Sequence, residues 1–207
     1  VVIVDSSDNR EDFDQSSFKN FSFSRIIVHK EEDAYPGQAR NIGVSIARGK
    51  YIAFMDAKTL PKNDWLQSSL SDLLNTNSDI VLGKFRSIEE NLNWLQKIIK
   101  ANTYGNLLCN SVPGAILQKS KFMSSGGFNS SVGAGEDLEW VDRLKVLKWN
   151  IAYANNICFA YLGFPKNFTS FIAKWLFYSL RTLNKYSIYT KNFIFRYPFN
   201  AIFIFYL

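Results

Sequence analysis

Apolar positions in this chain fall into short unbroken runs that alternate with stretches of helical spacing. Val1-Val2-Ile3-Val4 is one such run, closed by the turn formers Asp5-Ser6-Ser7-Asp8-Asn9. A run with no polar face predicts a strand buried on both sides, as in a parallel sheet. Arg25-Ile26-Ile27-Val28 repeats the pattern, and Tyr51-Ile52-Ala53-Phe54-Met55 is a third run that stops at Asp56. Between these, Pro36-Gly37 opens a segment in which Ala39, Ile42, Ile46 and Ala47 recur at helical spacing, with Gly49 placed to end it. Trp65, Leu66, Leu70, Leu73 and Leu74 predict the next helix, and Asp79 to Phe85 a strand. A helix over Asn91 to Asn102 and a short strand at Gly114-Ala115-Ile116-Leu117 follow. Helical period returns at Leu138, Val141, Leu144, Val146 and Leu147, before strand-like Ile151-Ala152-Tyr153. Strands alternating with helices predict an α/β fold, a mainly parallel sheet flanked by helices.

The last fifty residues differ in kind. Residues 158–207 hold 17 of the 33 aromatic side chains, so apolar mass is concentrated there. Phe168, Phe171, Ile172, Trp175 and Leu176 can share one helix face. Six of the 24 basic residues follow Pro165 and no acid lies beyond Asp142, so the net charge of +6 belongs to this tail. The remaining 18 basic side chains are matched by 18 acidic ones, and a neutral body lacks the basic footprint of a nucleic-acid binder. An aromatic, cationic helix without acids is the signature of a membrane interface. Phe193 to Leu207 is nearly all apolar, but it is shorter than the roughly 20 residues that span a bilayer. The expected organisation is a body over 1–157 and a helical, membrane-associating tail over 158–207.

Candidate chemistry is acidic. In an open parallel sheet, ligands bind beyond the carboxyl ends of the strands, where Asp5 and Asp56 stand. Each alone reads equally as a turn-forming aspartate. His29 is the only histidine and has no nucleophile-elbow sequence near it, which makes it structural. Cys109 and Cys158 have neither zinc spacing nor a second pair, which predicts free thiols.

The order of these segments resembles the family-2 glycosyltransferases of GT-A (Rossmann-like) fold. Val1-Val2-Ile3-Val4-Asp5-Ser6-Ser7-Asp8 is similar to that family's first acidic turn. Ala39-Arg40-Asn41-Ile42-Gly43, with Ala47-Arg48-Gly49-Lys50-Tyr51-Ile52-Ala53-Phe54-Met55-Asp56, resembles its central stretch. Gly126-Gly127-Phe128-Asn129 and Gly135-Glu136-Asp137-Leu138-Glu139-Trp140 are similar to its acceptor-side segment. The likeness covers about residues 1–155 and lacks the family's first strand, which reads as a chain cut ahead of Val1.

The resemblance implies inverting transfer of a sugar from a nucleoside-diphosphate sugar to an acceptor hydroxyl. Asp5 would hold the nucleobase, Arg40 would lie near the base or the phosphates, and Asp56 would be the first acid of the metal-binding DxD element. Asp137, paired with Glu136, would be the general base, with Gly135 and Trp140 on the acceptor side. For Glu136 and Asp137 the plainer reading is the acidic first turn of a helix. One position departs from the pattern: Lys58 stands where the second DxD acid is expected, so Asp56 is at most a lone ligand for Mg²⁺ or Mn²⁺. Either Lys58 neutralises the leaving diphosphate in the metal's place, or the chain is a catalytically impaired module that binds sugar nucleotides or a membrane. A nucleotidyltransferase would carry a glycine-rich phosphate loop, and none is seen. The expected partners are a sugar nucleotide, a glycan or lipid-linked acceptor of cell-surface polysaccharide synthesis, and the cytoplasmic face of a membrane.

Overall fold

The computed structural model describes residues 1–6, 25–87, 91–103, 109–162 and 164–183. The turn formers Ser7, Asp8 and Asn9 and the apolar run from Phe193 to Leu207 lie outside them. The first two strands, β1 (Val2–Asp5) and β2 (Ile27–Lys30), form a small parallel sheet in which Asp5 is level with Lys30. Helix α1 (Pro36–Ile46) follows, with Pro at its first turn where a missing N–H costs nothing. It packs on β1, its Gly43 facing Val4, and delivers the chain to β3 (Tyr51–Ala53).

The larger sheet has six strands. It contains β3, β4 (Thr59–Pro61), β5 (Ile80–Ser87), β6 (Cys109–Gln118), β7 (Ile151–Tyr153) and β8 (Phe159–Tyr161). Its order is β3-β6-β5-β8-β4, with β7 also pairing β5. The class is the expected α/β one, but the sheet is mixed rather than mainly parallel. β6 runs antiparallel to both β3 and β5, and β4 antiparallel to β8, while β7 and β8 lie parallel to β5. The long β6 is the cause: it comes back antiparallel along β5 after α3 and also pairs antiparallel with β3, so two neighbours at once oppose it.

Among the described residues no strand pairing joins the two sheets. A cavity of about 580 Å³ separates them, lined by Val1, Val2 and Val4 on one side and Tyr51 to Ala57 on the other, with α1 alongside.

Helices α2 (Trp65–Asn75), α3 (Trp94–Thr103), α4 (Lys119–Ser124) and α5 (Glu136–Val146) pack around the larger sheet. The main core joins Val44 of α1, Ile52, Phe54, Ile80, Leu82, Leu117 and Phe122 to Trp140 and Leu144 of α5. Burying a side chain of this size contributes about 1.5–3 kcal/mol, and here it fixes α1 and α5 on the sheet, the helices that carry Arg40 and the Glu136–Asp137 pair. The last described element, α6 (Phe168–Leu183), is docked on the body. Its Phe171 packs with Leu95 and Ile99 of α3 and with Phe164, while Phe168 and Leu176 stay exposed. No helix among the described residues is long and apolar enough to cross a membrane. Cys158 is a free, buried thiol, and His29 lies 3.4 Å from Glu31 on the partly exposed β2 edge.

Candidate active site around Arg40

Arg40 lies one turn into α1, and that position lets its guanidinium bridge two distant pieces of chain. It donates to Asp56 Oδ1 at 2.9 Å, just beyond β3, and to Glu136 Oε1 at the start of α5. The guanidinium also lies 5.4 Å from the centroid of the Phe128 ring. Burial works against the charge on Arg40, but Asp56, Glu136 and then Asp137 outweigh it and hold the cation more firmly than in water. A planar fork that serves two carboxylates at once is a task for arginine rather than lysine.

Gly135 precedes α5 with φ +81°, a left-handed conformation that glycine adopts without strain. It turns the chain so that Glu136 and Asp137 occupy the first turn of the helix, where backbone N–H groups and the dipole favour negative charge. The two acids then part company. Glu136 is buried, 4% exposed, and bonded to Arg40. Asp137 is half-buried and accepts from Leu138 N at 2.9 Å. Burial pushes both carboxyls above the ordinary range. Arg40 pulls each back, while Asp137 adds to the rise at Glu136 and Asp56 adds to it at Asp137.

The loop from Gly127 to Ser130 is held by a residue to which the sequence assigns no role. Asn41 accepts from Phe128 N at 2.9 Å and donates to Phe128 O at 2.8 Å and to Ser130 Oγ at 3.0 Å. This clamp fixes the ring under the Arg40 guanidinium. The only signal for it in the chain is its place beside Arg40. Gly127, at φ +66°, leaves no room for a side chain there: a Cβ would come within 2.7 Å of Asn41 Oδ1.

Asp56, Glu136 and Asp137 are thus gathered around Arg40 from both ends of the chain. Asp5 stands at the carboxyl end of β1, as the sequence places it, but its carboxylate joins Lys30 at 3.3 Å rather than the Arg40 network. Trp140 does not face the cleft. Its indole is fully buried between Phe128, at 4.6 Å, Phe122 and Phe54, and donates to Ser125 Oγ at 2.9 Å. The bulkiest apolar side chain of α5 goes to the core, so Trp140 supports the site from beneath. Lys58 is exposed in the turn after Asp56, its carbonyl accepting from Leu162 N at 3.0 Å.

A divalent cation suits this donor set poorly. Asp56 and Glu136 already share their charge with Arg40, an ammonium stands two residues after Asp56, and among the described residues no three His, Cys, Asp or Glu side chains are grouped so as to hold a metal ion.

Comparison with known proteins agrees with the geometry. Residues 1–141 match the model of the family described as Glycosyl transferase family 2. Glycosyltransferase GlyG of Streptococcus pneumoniae is 25% identical over 92 residues, which cover 44% of this chain and 30% of that protein. TuaG of Bacillus subtilis, a glycosyltransferase named for teichuronic acid biosynthesis, is 26% identical over 167 residues, 77% of this chain and 65% of its own length. The chain spans under a third of the first of these relatives. Among solved structures, S. aureus TarS 1-349 in complex with UDP-GlcNAc superposes with a TM-score of 0.58 at 16% identity, covering 82% of this chain and 51% of that one. With the family pattern running through more than half of its residues and the α/β fold matching that of TarS, the chain belongs to glycosyl transferase family 2 and has the GT-A fold.

Proposed function

We propose that this chain transfers a sugar from a nucleoside-diphosphate sugar to an acceptor hydroxyl with inversion, without a divalent metal. The observation that carries the proposal is Arg40 holding Asp56 and Glu136 together with Asp137 beside them. Asp137 is the base. It is the more open of the paired acids, and its raised pKa makes its carboxylate a better proton acceptor than that of an ordinary aspartate. The acceptor O–H proton passes to Asp137 as the acceptor oxygen attacks the anomeric carbon. The bond from that carbon to the diphosphate breaks, and its electron pair leaves on the phosphate oxygen. Glu136, buried on Arg40, keeps the guanidinium in place. Asp56 faces the donor, and Asp5, at the neighbouring strand end, serves the nucleobase.

Lys58 supports the metal-free part of the proposal, because an ammonium can neutralise the diphosphate as a point charge where a divalent ion otherwise would. The relatives support the substrate class. TuaG is named for teichuronic acid and TarS was crystallised with UDP-GlcNAc, which points to a cell-surface polymer and a sugar nucleotide. The aromatic, cationic tail fits attachment at the cytoplasmic face of a membrane, close to a lipid-linked acceptor.

The deciding experiment incubates the full chain with a panel of sugar nucleotides, with and without EDTA, and follows release of nucleoside diphosphate. Turnover that survives EDTA is expected. Turnover only on addition of Mn²⁺ refutes the role given to Lys58, and tight donor binding without turnover on any acceptor marks an impaired enzyme.

A further inference from the structure

The sequence assigns the cations of the last fifty residues to a membrane surface, but Lys174 turns the other way. On α6 it is half-buried, and its Nζ donates to the Tyr161 hydroxyl at 3.1 Å while lying 5.7 Å from the centre of that ring. Tyr161 ends β8 and is seated between Phe164, at 5.6 Å, and Phe85, at 6.2 Å. Strand pairing sets Tyr161 opposite Thr59, and Thr59 Oγ1 donates to the Asp56 carbonyl. With the Leu162 N–H on the Lys58 carbonyl, β8 is latched to the turn that carries both Asp56 and Lys58. α6, β8 and that turn therefore meet at one edge of the candidate site.

Two ammonium groups and a phenol are an unusual set beside the Asp56 turn. Burial lifts the Tyr161 pKa, with Lys58 drawing it down and Asp56 lifting it, so these charges all act on one hydroxyl and the phenol keeps its proton. A neutral phenol donates as well as accepts. Among the described residues Lys58 forms no ion pair. A compact, multiply charged anion matches this set, and a diphosphate gains further negative charge at the moment its bond to the sugar breaks.

We propose that Lys58, Tyr161 and Lys174 form the seat of the departing diphosphate, with α6 supplying part of the donor site. This rests on the glycosyl-transfer reading above. It gives the tail a second task, because the helix that holds Lys174 on Tyr161 also closes one wall of the site.

The test is isothermal titration of the full chain with UDP and GDP and with the matching monophosphates UMP and GMP. The proteins are the parent, Lys174→Met, Lys174→Arg and Tyr161→Phe, each checked for an unchanged melting temperature. Lys174→Met is expected to weaken diphosphate binding about tenfold or more, the loss of one charge-assisted hydrogen bond, and monophosphate binding much less. Lys174→Arg keeps the charge and should retain most of the affinity, and Tyr161→Phe should lose several-fold. Diphosphate binding unchanged in both Lys174→Met and Tyr161→Phe overturns the seat alone. So do equal losses for mono- and diphosphates. A parent chain that binds no nucleotide overturns the glycosyl-transfer reading and the seat with it.

Discussion

Replacing Arg40 with methionine asks how much of the site's order is electrostatic. The side chain is 15% exposed and the Glu136 side chain 6%, so the substitution strands a buried carboxylate. An orphaned, charged hydrogen-bonding group of this kind costs about 1.5–3 kcal/mol. Asp56, with 39% of its side chain exposed, can turn to water, and its share is that of a surface pair, about 0–1 kcal/mol. The expected loss is about 2–4 kcal/mol, at the lower edge of what breaking a wholly buried pair costs. For a chain of this size that is a fall in Tm of about 5–15 °C.

Urea unfolding of the parent, Arg40→Met, Glu136→Gln and the double variant, analysed with a common slope, closes the cycle. In the Glu136→Gln background Arg40→Met no longer strands a carboxylate at position 136 and breaks only the more exposed pair with Asp56, so it should cost about 1 kcal/mol or less. The pH dependence has a definite sign. Burial raises the Glu136 pKa and Arg40 draws it down, so removing Arg40 lets it rise further. A carboxyl with a raised folded-state pKa gives its full contribution in acid and loses it as pH climbs through that pKa. The Arg40→Met deficit should therefore shrink on acidification. A single-variant loss under about 1 kcal/mol, or equal losses in both backgrounds, refutes the idea that Arg40 serves the Glu136 charge.

Three further outcomes are expected. Asp137→Asn should reduce transfer by about 100-fold or more with Tm unchanged, since general-base catalysis typically supplies that much; initial rates within tenfold of the parent would remove Asp137 from the mechanism. The acid limb of kcat/KM should lie above the ordinary aspartate value of about 3.9, because Asp137 is raised by burial and must be ionised to act. Activity then falls as pH drops through it, and Arg40→Met moves the limb upward; a limb at or below the ordinary value in pH-rate profiles counts against that environment. Gly127→Ala, forced to φ +66° with its Cβ 2.7 Å from Asn41 Oδ1, should cost at least about 1–2 kcal/mol in urea unfolding. A near-neutral result would show that the Asn41 clamp yields easily.

What the chain revealed in advance follows from the range of the forces involved. α1 was legible because its apolar stripe and its proline are local, and β1 and β5 because unbroken apolar runs need no partner to be recognised. β4 and β8 carry no such pattern. Each is three residues long and is defined by its partners, β8 lying between β5 and β4, with Pro61 tolerated at the sheet edge. The acids at strand ends and at the head of α5 could be named from the sequence. The bond that unites them, from Arg40 to a residue 96 positions away, could not. Trp140 shows how a neighbour of candidate acids is misread: adjacency in sequence suggested the cleft, while its size sent it to the core. Lys174 is the reverse case, a cation whose setting is supplied by a strand 13 residues earlier. The Asp5–Lys30 pair needed only the register of β1 on β2, which no periodicity encodes.

The two sheets differ in how many neighbours hold their strands. A two-stranded ribbon is barely stable by itself, and β1 with β2 relies on α1 for its cover. The backbone amides of Ile27–Lys30 should accordingly trade hydrogen for deuterium well before those of β5, which is paired along its length by β6, β7 and β8. Asp5 therefore belongs to the smaller sheet, whereas Asp56 follows β3 of the larger one and Asp137 heads α5 packed on it, so exchange at the two sheets reports on the two groups of acids separately.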